Sequence, residues 1–463
     1  MGEGVELAET GVGFRWRASP SAPDPARSPD PMRQTVRSLL QAAALAALLP
    51  FLALHGMVGV ARAVFSGRRR VEDTGELYLV VPYPPGEKSG GSTAIKGLVE
   101  TLGRGWQLHL VPLYELKPSG GRVRGLLSDW LTFALPMPVH CRPFIVSPST
   151  VRERIGGPHP VVVEFLSGSL FLVFGGRPRN ALVLREHEPL CRRLAMETRA
   201  ARGLGRAVPA LKTAAAWLVM FGVYLKVDRV VALTPEDAAY VRRAFPWFAR
   251  KITDIPVSFD LPEAAPGPAS EGTAREMLFV GNFYHRPNVD ALRWFLAECA
   301  RHLDRSWTLH VCGLDEPLSG VVLPASPVQV VRHGFVVDVE DRFAHVRIAV
   351  APVVSGGGVR MKNLFLASRG RAVVTTPLGN EGIGFVPGAE AVVTEDGREM
   401  AREIARLAAD PDAAAVMGRR ARERVRSGFG HDAVLARYRA EVFRRRETPP
   451  AAAPVSDPVP AAH

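Results

Sequence analysis

Between Ser355 and Gly382 the chain reads SGGGVRMKNLFLASRGRAVVTTPLGNEG, and this stretch limits the possible fold more tightly than any other. An apolar run of strand length, Val346 to Val353, leads into three consecutive glycines, Gly356, Gly357 and Gly358. Glycine has no Cβ, so such a loop can turn sharply and bring its backbone close to a ligand. Arg360 and Lys362 then open a helix, and Ala372 to Thr376 follows as another apolar strand. Strand, glycine turn, helix and strand make one unit of a parallel α/β sheet. The free N–H groups of a helix N-terminus beside two cationic side chains form a seat for a diphosphate. The competing reading is a ligand-free strand-to-helix turn; the Arg, the Lys and the downstream TTPLGNEG weigh against it.

The same alternation of strand and helix runs from Glu76 onward. Leu77–Pro82, Trp106–Leu113, Val161–Phe165, Ala181–Leu184 and Arg229–Leu233 read as strands, with a helix from about Ser92 to Leu102 after the glycine pair Gly90 and Gly91. Thr234 caps a helix that has Pro235 at its first position. These elements form a first domain over 76–260, followed by a Pro/Ala/Gly-rich linker, 261–275. A second domain, 276–430, opens with Met277–Phe283 and continues through Trp307–Cys312, Val328–Val331 and Ile348–Val353. Asn288 is the expected cap of a helix whose Val289, Leu292, Phe295, Leu296, Cys299 and Leu303 share one apolar face. Helices over Arg398–Ala408 and Pro411–Arg426 close that domain, and a terminal amphipathic helix occupies 431–446.

A chain of 463 residues exceeds what one core serves, which fits two domains with extensions. The segments 1–31 and 447–463 are Pro-rich and are expected to be disordered. Residues 33–66 contain the uncharged run Leu39–Val60, long enough to cross a bilayer. Spanning anchor, interfacial helix and soluble packing helix all remain open for it, because Gln41, Pro50 and His55 interrupt the run and flanking arginines lie on both sides. The net charge of +12 suggests an anionic partner, such as a phosphorylated substrate or an anionic membrane surface. Only seven of the 58 basic residues are Lys, so GC-rich coding accounts for part of that excess. No basic patch is interleaved with aromatics, and a nucleic-acid partner is not expected. Cys141, Cys191, Cys299 and Cys312 lack metal or redox spacing and read as reduced core thiols. No catalytic triad, paired-carboxylate hydrolase site, Walker loop or zinc spacing is present, which removes the main support for hydrolase, kinase and metalloenzyme readings.

The 355–382 motif resembles the donor-binding half of GT-B glycosyltransferases, in particular the family 4-like retaining group (glycosyl transferases group 1), whose pattern runs roughly GGGVRxKxLEAMAxGxPVVTTxxGxEG. The resemblance extends over about 76–446 and is strongest in the second half. It implies an α/β fold of two Rossmann-like parallel-sheet domains facing a cleft, here preceded by an N-terminal hydrophobic helix, with the terminal helix returning to the first domain. It further implies transfer of a sugar from a nucleotide diphosphate sugar, the donor substrate, to a glycan or lipid-linked acceptor. No metal or other cofactor is expected. Such an enzyme would serve cell-surface polysaccharide or glycolipid synthesis from the cytoplasmic face of the cell membrane.

On that resemblance, Gly356, Gly357, Gly358, Arg360 and Lys362 hold the diphosphate, with Arg360 and Lys362 stabilising charge on the leaving group. Gly281, Asn282 and Arg286 of GNFYHRPN approach it from a neighbouring strand, and His285 in the same loop reads as a surface turn. Gly334, Phe335 and Val336 of RHGFVVD match the loop that holds the base; for Glu381 of GNEG two readings stay open, a contact to the nucleotide in place of the ribose contact that Phe365 cannot make, and a solvated turn residue. In the first domain His187, between Glu186 and Glu188, faces the acceptor, and two flanking carboxylates would favour its charged form. The pattern breaks at two positions. Phe365 stands where the family has the Glu that holds ribose, and Gly357 where it has the first Glu of a Glu-x7-Glu pair. Phe365 therefore also admits a degenerate module that binds nucleotide or glycan, or assists assembly, without turnover.

Overall fold

The computed structural model describes residues 69–86, 90–116, 148–174, 177–201, 203–259 and 275–445, with isolated positions elsewhere. The Leu39–Val60 segment, the two Pro-rich ends, the linker between its end positions and Cys141 lie outside these ranges.

The first domain is built on six strands: β1 (Glu76–Val81), β2 (Gln107–Pro112), β3 (Val161–Glu164), β4 (Leu182–Glu186), β5 (Arg229–Ala232) and β6 (Ile252–Asp254). They lie in the order β2-β1-β3-β4-β5-β6, and every neighbouring pair is parallel. The middle of the sheet is covered on both faces, which is why β3 and β4 are buried along their whole length and do not alternate. Val161 and Val163 join one core cluster while Val162 faces the other. Helix α1 (Gly90–Gly103) starts two residues earlier than the sequence suggests: Gly90 and Gly91 lie in its first turn, not in the preceding loop. Helix α2 (Ala207–Lys226) is a twenty-residue apolar element to which the sequence reading assigned no structure. Helix α3 (Pro235–Ala244) begins as expected, with the Asp237 amide donating to Thr234 Oγ1 at 3.0 Å.

The second domain contains β7 (Glu276–Val280), β8 (Thr308–Cys312), β9 (Gln329–Gly334), β10 (Ile348–Ala351), β11 (Ala372–Thr375) and β12 (Val392–Val393). Their order is β9-β8-β7-β10-β11-β12, again parallel throughout. The order reverses between β7 and β10, and in doubly wound sheets ligands bind outside the strand ends at that switch point. Helix α4 (Arg286–Trp294) starts at Arg286 with His285 in the N-cap position, so Asn288 is not the cap. Pro287 in the first turn accounts for this, because its fixed φ is already helical and it lacks the N–H that a cap would have to satisfy. Val289, Leu292, Phe295, Leu296, Cys299 and Leu303 are all buried on the face expected of them. Helix α5 (Met361–Ser368) follows the glycine loop, and α6 (Pro411–Phe429) packs on it.

The chain returns to the first domain through α7 (His431–Arg437) and a π-turn, Tyr438–Val442. Val434, Leu435, Tyr438, Val442 and Phe443 bury themselves among Leu77, Leu79, Ile95 and Leu98 of the first sheet and α1. Each apolar side chain buried in this way contributes about 1.5–3 kcal/mol over leaving it exposed, enough to hold the strap closed. It ends in a short parallel pairing of Arg444–Arg445 with Glu72–Asp73.

Candidate functional site

A cleft of about 570 Å³ lies between the two sheets. Its second-domain wall is the loop after β10. Gly356 and Gly358 have φ of +93° and +75°, the left-handed region that side chains disfavour. Gly357 lies outside that region, but a Cβ there would strike the Glu188 carboxylate, and one at Gly358 would meet the His187 carbonyl oxygen at 2.9 Å. The glycine loop of the second domain is thus pressed against residues 187–188 of the first, and at Gly358, where the neighbour is a fixed carbonyl, this close approach favours glycine.

Arg360 lines the cleft, yet its guanidinium is buried and turned back on its own loop. Nη1 donates to the Gly357 carbonyl at 2.5 Å, Nη2 to that of Gly356 at 2.9 Å, and Nε to Leu378 at 3.3 Å. Burial lowers its pKa, opposed by Glu381, Glu188 and Asp237. Lys362, also in the cleft wall, donates from Nζ to Asn288 Oδ1 at 2.8 Å, and Asn288 Nδ2 donates to the Asn282 carbonyl at 2.7 Å. Burial, with Arg360 adding to it, brings the Lys362 pKa down to about 7. Asn288, released from capping, therefore joins the 281–288 loop to the glycine loop.

Gly281, Asn282 and His285 line the cleft, and Lys362, Arg360 and Arg193 reinforce burial in lowering the His285 pKa. Arg286 does not line it: its side chain is 76% exposed and pairs with Asp290 at 2.8 Å. Gly334, Phe335 and Val336 also lie away from the lining. Gly334 takes a φ of +65°, Phe335 is exposed, and Val336 packs on the core beside Phe343. Their strand, β9, is the outermost of its sheet, two places from the switch point. Glu381 is held across the domain boundary by Arg192 Nη2 at 3.0 and 3.2 Å, while Arg192 Nη1 donates to Asp237 Oδ1 at 2.6 Å. Phe365 does not line the cleft; it packs on the second core beneath the Arg369 guanidinium, 3.9 Å from its ring centroid.

The first-domain wall holds a constellation that the sequence did not reveal. Parallel pairing of β3 and β4 sets Glu164 opposite Arg185. Arg185 Nη1 donates to Glu164 Oε1 at 2.7 Å with both side chains fully buried, and His187 Nε2 bonds the other carboxylate oxygen. Phe165, the only non-glycine residue at positive φ among the described residues (+62°), stacks its ring on His187 at 3.6 Å. The carboxylate against His187 is therefore Glu164 and neither flanking Glu. Contrary to the expectation from those neighbours, burial outweighs Glu164 and lowers the His187 pKa. Glu186 points into the core, where it accepts from the Tyr224 hydroxyl, and burial raises its pKa to about 8. Glu188 faces the glycine loop, 3.5 Å from Arg193, with its pKa raised by burial. The one sequence signal for Glu164 was a lone acid ending the apolar run VVVE. Among the described residues no cluster of three or more His, Cys, Asp or Glu is arranged to hold a metal ion.

Residues 274–410 match the family model described as Glycosyl transferases group 1. In architecture the chain is similar to sucrose-phosphate synthase from Thermosynechococcus elongatus, at 17% identity and a TM-score of 0.55, over 80% of this chain and 97% of that one. It is also similar to the N-terminal domain of trehalose-6-phosphate phosphatase from Candida albicans, at 11% identity and a TM-score of 0.50, over 80% and 97% of the two chains. No curated protein matches the chain by sequence. Two parallel six-stranded sheets facing a cleft give this chain the GT-B fold, and the part of it that matches glycosyl transferases group 1, residues 274–410, spans the sheet that carries the glycine loop.

Proposed function

We propose that the protein transfers a sugar, with retention, from a nucleotide diphosphate sugar to a glycan or lipid-linked acceptor. The pathway proposed is synthesis of cell-surface polysaccharide or glycolipid at the inner face of the cell membrane, with residues 33–66 as the anchor. The observation that carries the donor assignment is the meeting of the glycine loop and Lys362 with His187 across one cleft. The diphosphate would sit against the loop amides and the start of α5, and Lys362 would take the developing negative charge. Arg360 acts one step back: by tying three carbonyls it holds the loop in the conformation that presents those amides. His187, fixed by Glu164 and Phe165, would face the sugar and acceptor with its imidazole neutral.

Titration calorimetry with a panel of UDP- and GDP-sugars, followed by assay of UDP or GDP release, tests this reading. Micromolar binding of one donor with slow release in the absence of acceptor is expected. Silence across the panel overturns the donor assignment, and binding without release under any acceptor leaves the non-catalytic module as the function.

A further inference from the structure

Helix α2 has the length and apolarity of a membrane span, yet only 33% of its most apolar window is buried within the protein. One side, with Ala215, Ala216, Val219, Met220 and Val223, enters the first core. Trp217, Leu218, Phe221 and Leu225 are only half buried, and they follow the exposed Ala210 and Ala214 as a stripe at helical spacing. No acidic residue lies on the helix. Trp247 stands 66% exposed beside this stripe, its ring edge-on to Phe221 at 6.2 Å. Three residues further on, the chain enters a second cavity lined by Arg69, Arg70, Arg229, Arg250 and Lys251, with Asp228 as its one carboxylate. That carboxylate is already engaged by Arg177 at 2.5 Å and by the Arg69 amide at 3.0 Å. The side chains of Arg70 and Arg250 make no hydrogen bond or ion pair among the described residues. Lys251 joins the two features, its Nζ donating to the carbonyls of Tyr224 and Val227 at the end of α2.

An apolar stripe, an exposed tryptophan and an uncompensated basic pocket on one continuous surface have the composition that seats proteins in a charged bilayer interface. We propose that this face of the first domain docks on an anionic lipid surface, with Trp247 and the α2 stripe at the acyl boundary and Arg70 and Arg250 on lipid phosphates. The contact belongs to the folded domain and is separate from any made by residues 33–66 and from donor binding in the cleft.

The test uses the full chain with vesicles of brominated phosphatidylcholine, with and without phosphatidylglycerol. Tryptophan fluorescence should be quenched when the anionic lipid is present. Trp247→Phe should lose a substantial part of that quenching, and the Arg70→Ala/Arg250→Ala pair should reduce its dependence on phosphatidylglycerol several-fold. Equal quenching of wild type and Trp247→Phe, or quenching indifferent to anionic lipid, overturns the proposal. A concentration-dependent dimer in sedimentation that shields Trp247 from a soluble quencher, without vesicle quenching, overturns it in favour of a second copy. Saturable protection by inorganic phosphate, again without vesicle quenching, overturns it in favour of a soluble anion.

Discussion

The carboxylate of Glu188 in the first domain occupies the space beside Gly357 in the second where a Cβ at 357 would stand. At neighbouring Gly358 the obstacle is backbone, the His187 carbonyl, and φ is +75°. The two glycines should therefore respond differently to substitution. A flexible carboxylate can retreat, so Gly357→Ala should keep the fold within about 1 kcal/mol. Gly358→Ala must strain a left-handed residue and push a fixed carbonyl, for a loss of about 1–3 kcal/mol. Chemical denaturation of the two variants reads the difference, and equal losses would mean that the loop is not packed against residues 187–188.

Arg360 and Lys362 divide the work of the motif between structure and ligand. Removing the Arg360 guanidinium takes the side-chain donor from the carbonyls of Gly356 and Gly357 and leaves that of Leu378 with only the Glu381 amide at 3.4 Å, so Arg360→Ala should lower stability by about 2–4 kcal/mol. Among the described residues Lys362 has one hydrogen-bond partner, Asn288, in the cleft wall. Lys362→Ala should stay within about 1 kcal/mol of wild type while nucleotide diphosphate affinity falls by about 1.5–3 kcal/mol. Thermal unfolding and calorimetry on the same two variants separate the roles.

Much of this layout was legible in the sequence, because buried parallel strands must be short apolar runs ended by turns. Runs such as Met277–Phe283 and Ile348–Val353 therefore marked the second sheet, and the glycine loop fell at its switch point. Helix α2 escaped notice for the opposite reason. A segment apolar on nearly every side has weak helical periodicity, and AVPALKTAAAWLVMFGVYLK offers no polar face to read. The Glu164, Arg185 and His187 cluster depends on the register of β3 against β4, a relation between residues more than twenty apart that no local pattern encodes. Arg360 matched the motif in type, but the direction of its side chain depends on where the Gly356, Gly357 and Leu378 carbonyls lie.

Phe365 tests how far the family pattern transfers. Because the side chain packs on the second core under Arg369 and away from the cleft lining, Phe365→Glu should not tighten nucleotide binding. It should destabilise the domain by roughly 1–3 kcal/mol, part of the burial penalty being offset by the adjacent guanidinium. A tenfold gain in affinity would show that position 365 reaches the nucleotide.

Glu186 makes stability fall as pH rises. Its folded pKa, about 8, lies above that of an unfolded glutamate, mainly because the carboxyl is buried, with Asp237 and Glu188 adding to the effect and Tyr224 opposing it. Between about pH 4.5 and 8 the folded state keeps a proton that the unfolded chain has released, so stability declines through that window and stays low above it. Glu186→Gln should remove the decline, up to about 3–5 kcal/mol, and flatten the difference in melting temperature between acidic and alkaline buffers. A variant whose pH profile parallels the wild type would place the titration elsewhere.

Lys362 should couple donor binding to proton uptake. With its pKa brought down to about 7 by burial and by Arg360, the free amine is mostly neutral at pH 8 and mostly charged at pH 6. A diphosphate placed beside it favours the ammonium form and raises the pKa again. Binding at pH 8 should therefore draw in roughly one proton per nucleotide, and binding at pH 6 almost none. Calorimetry of the same titration in buffers of different ionisation enthalpy measures this directly, as the slope of observed enthalpy against buffer enthalpy. Lys362→Met should abolish the slope at pH 8 while His285, also close to the loop, remains in place. A slope that persists in Lys362→Met would assign the proton to His285 or to the nucleotide, and would remove Lys362 from the diphosphate site.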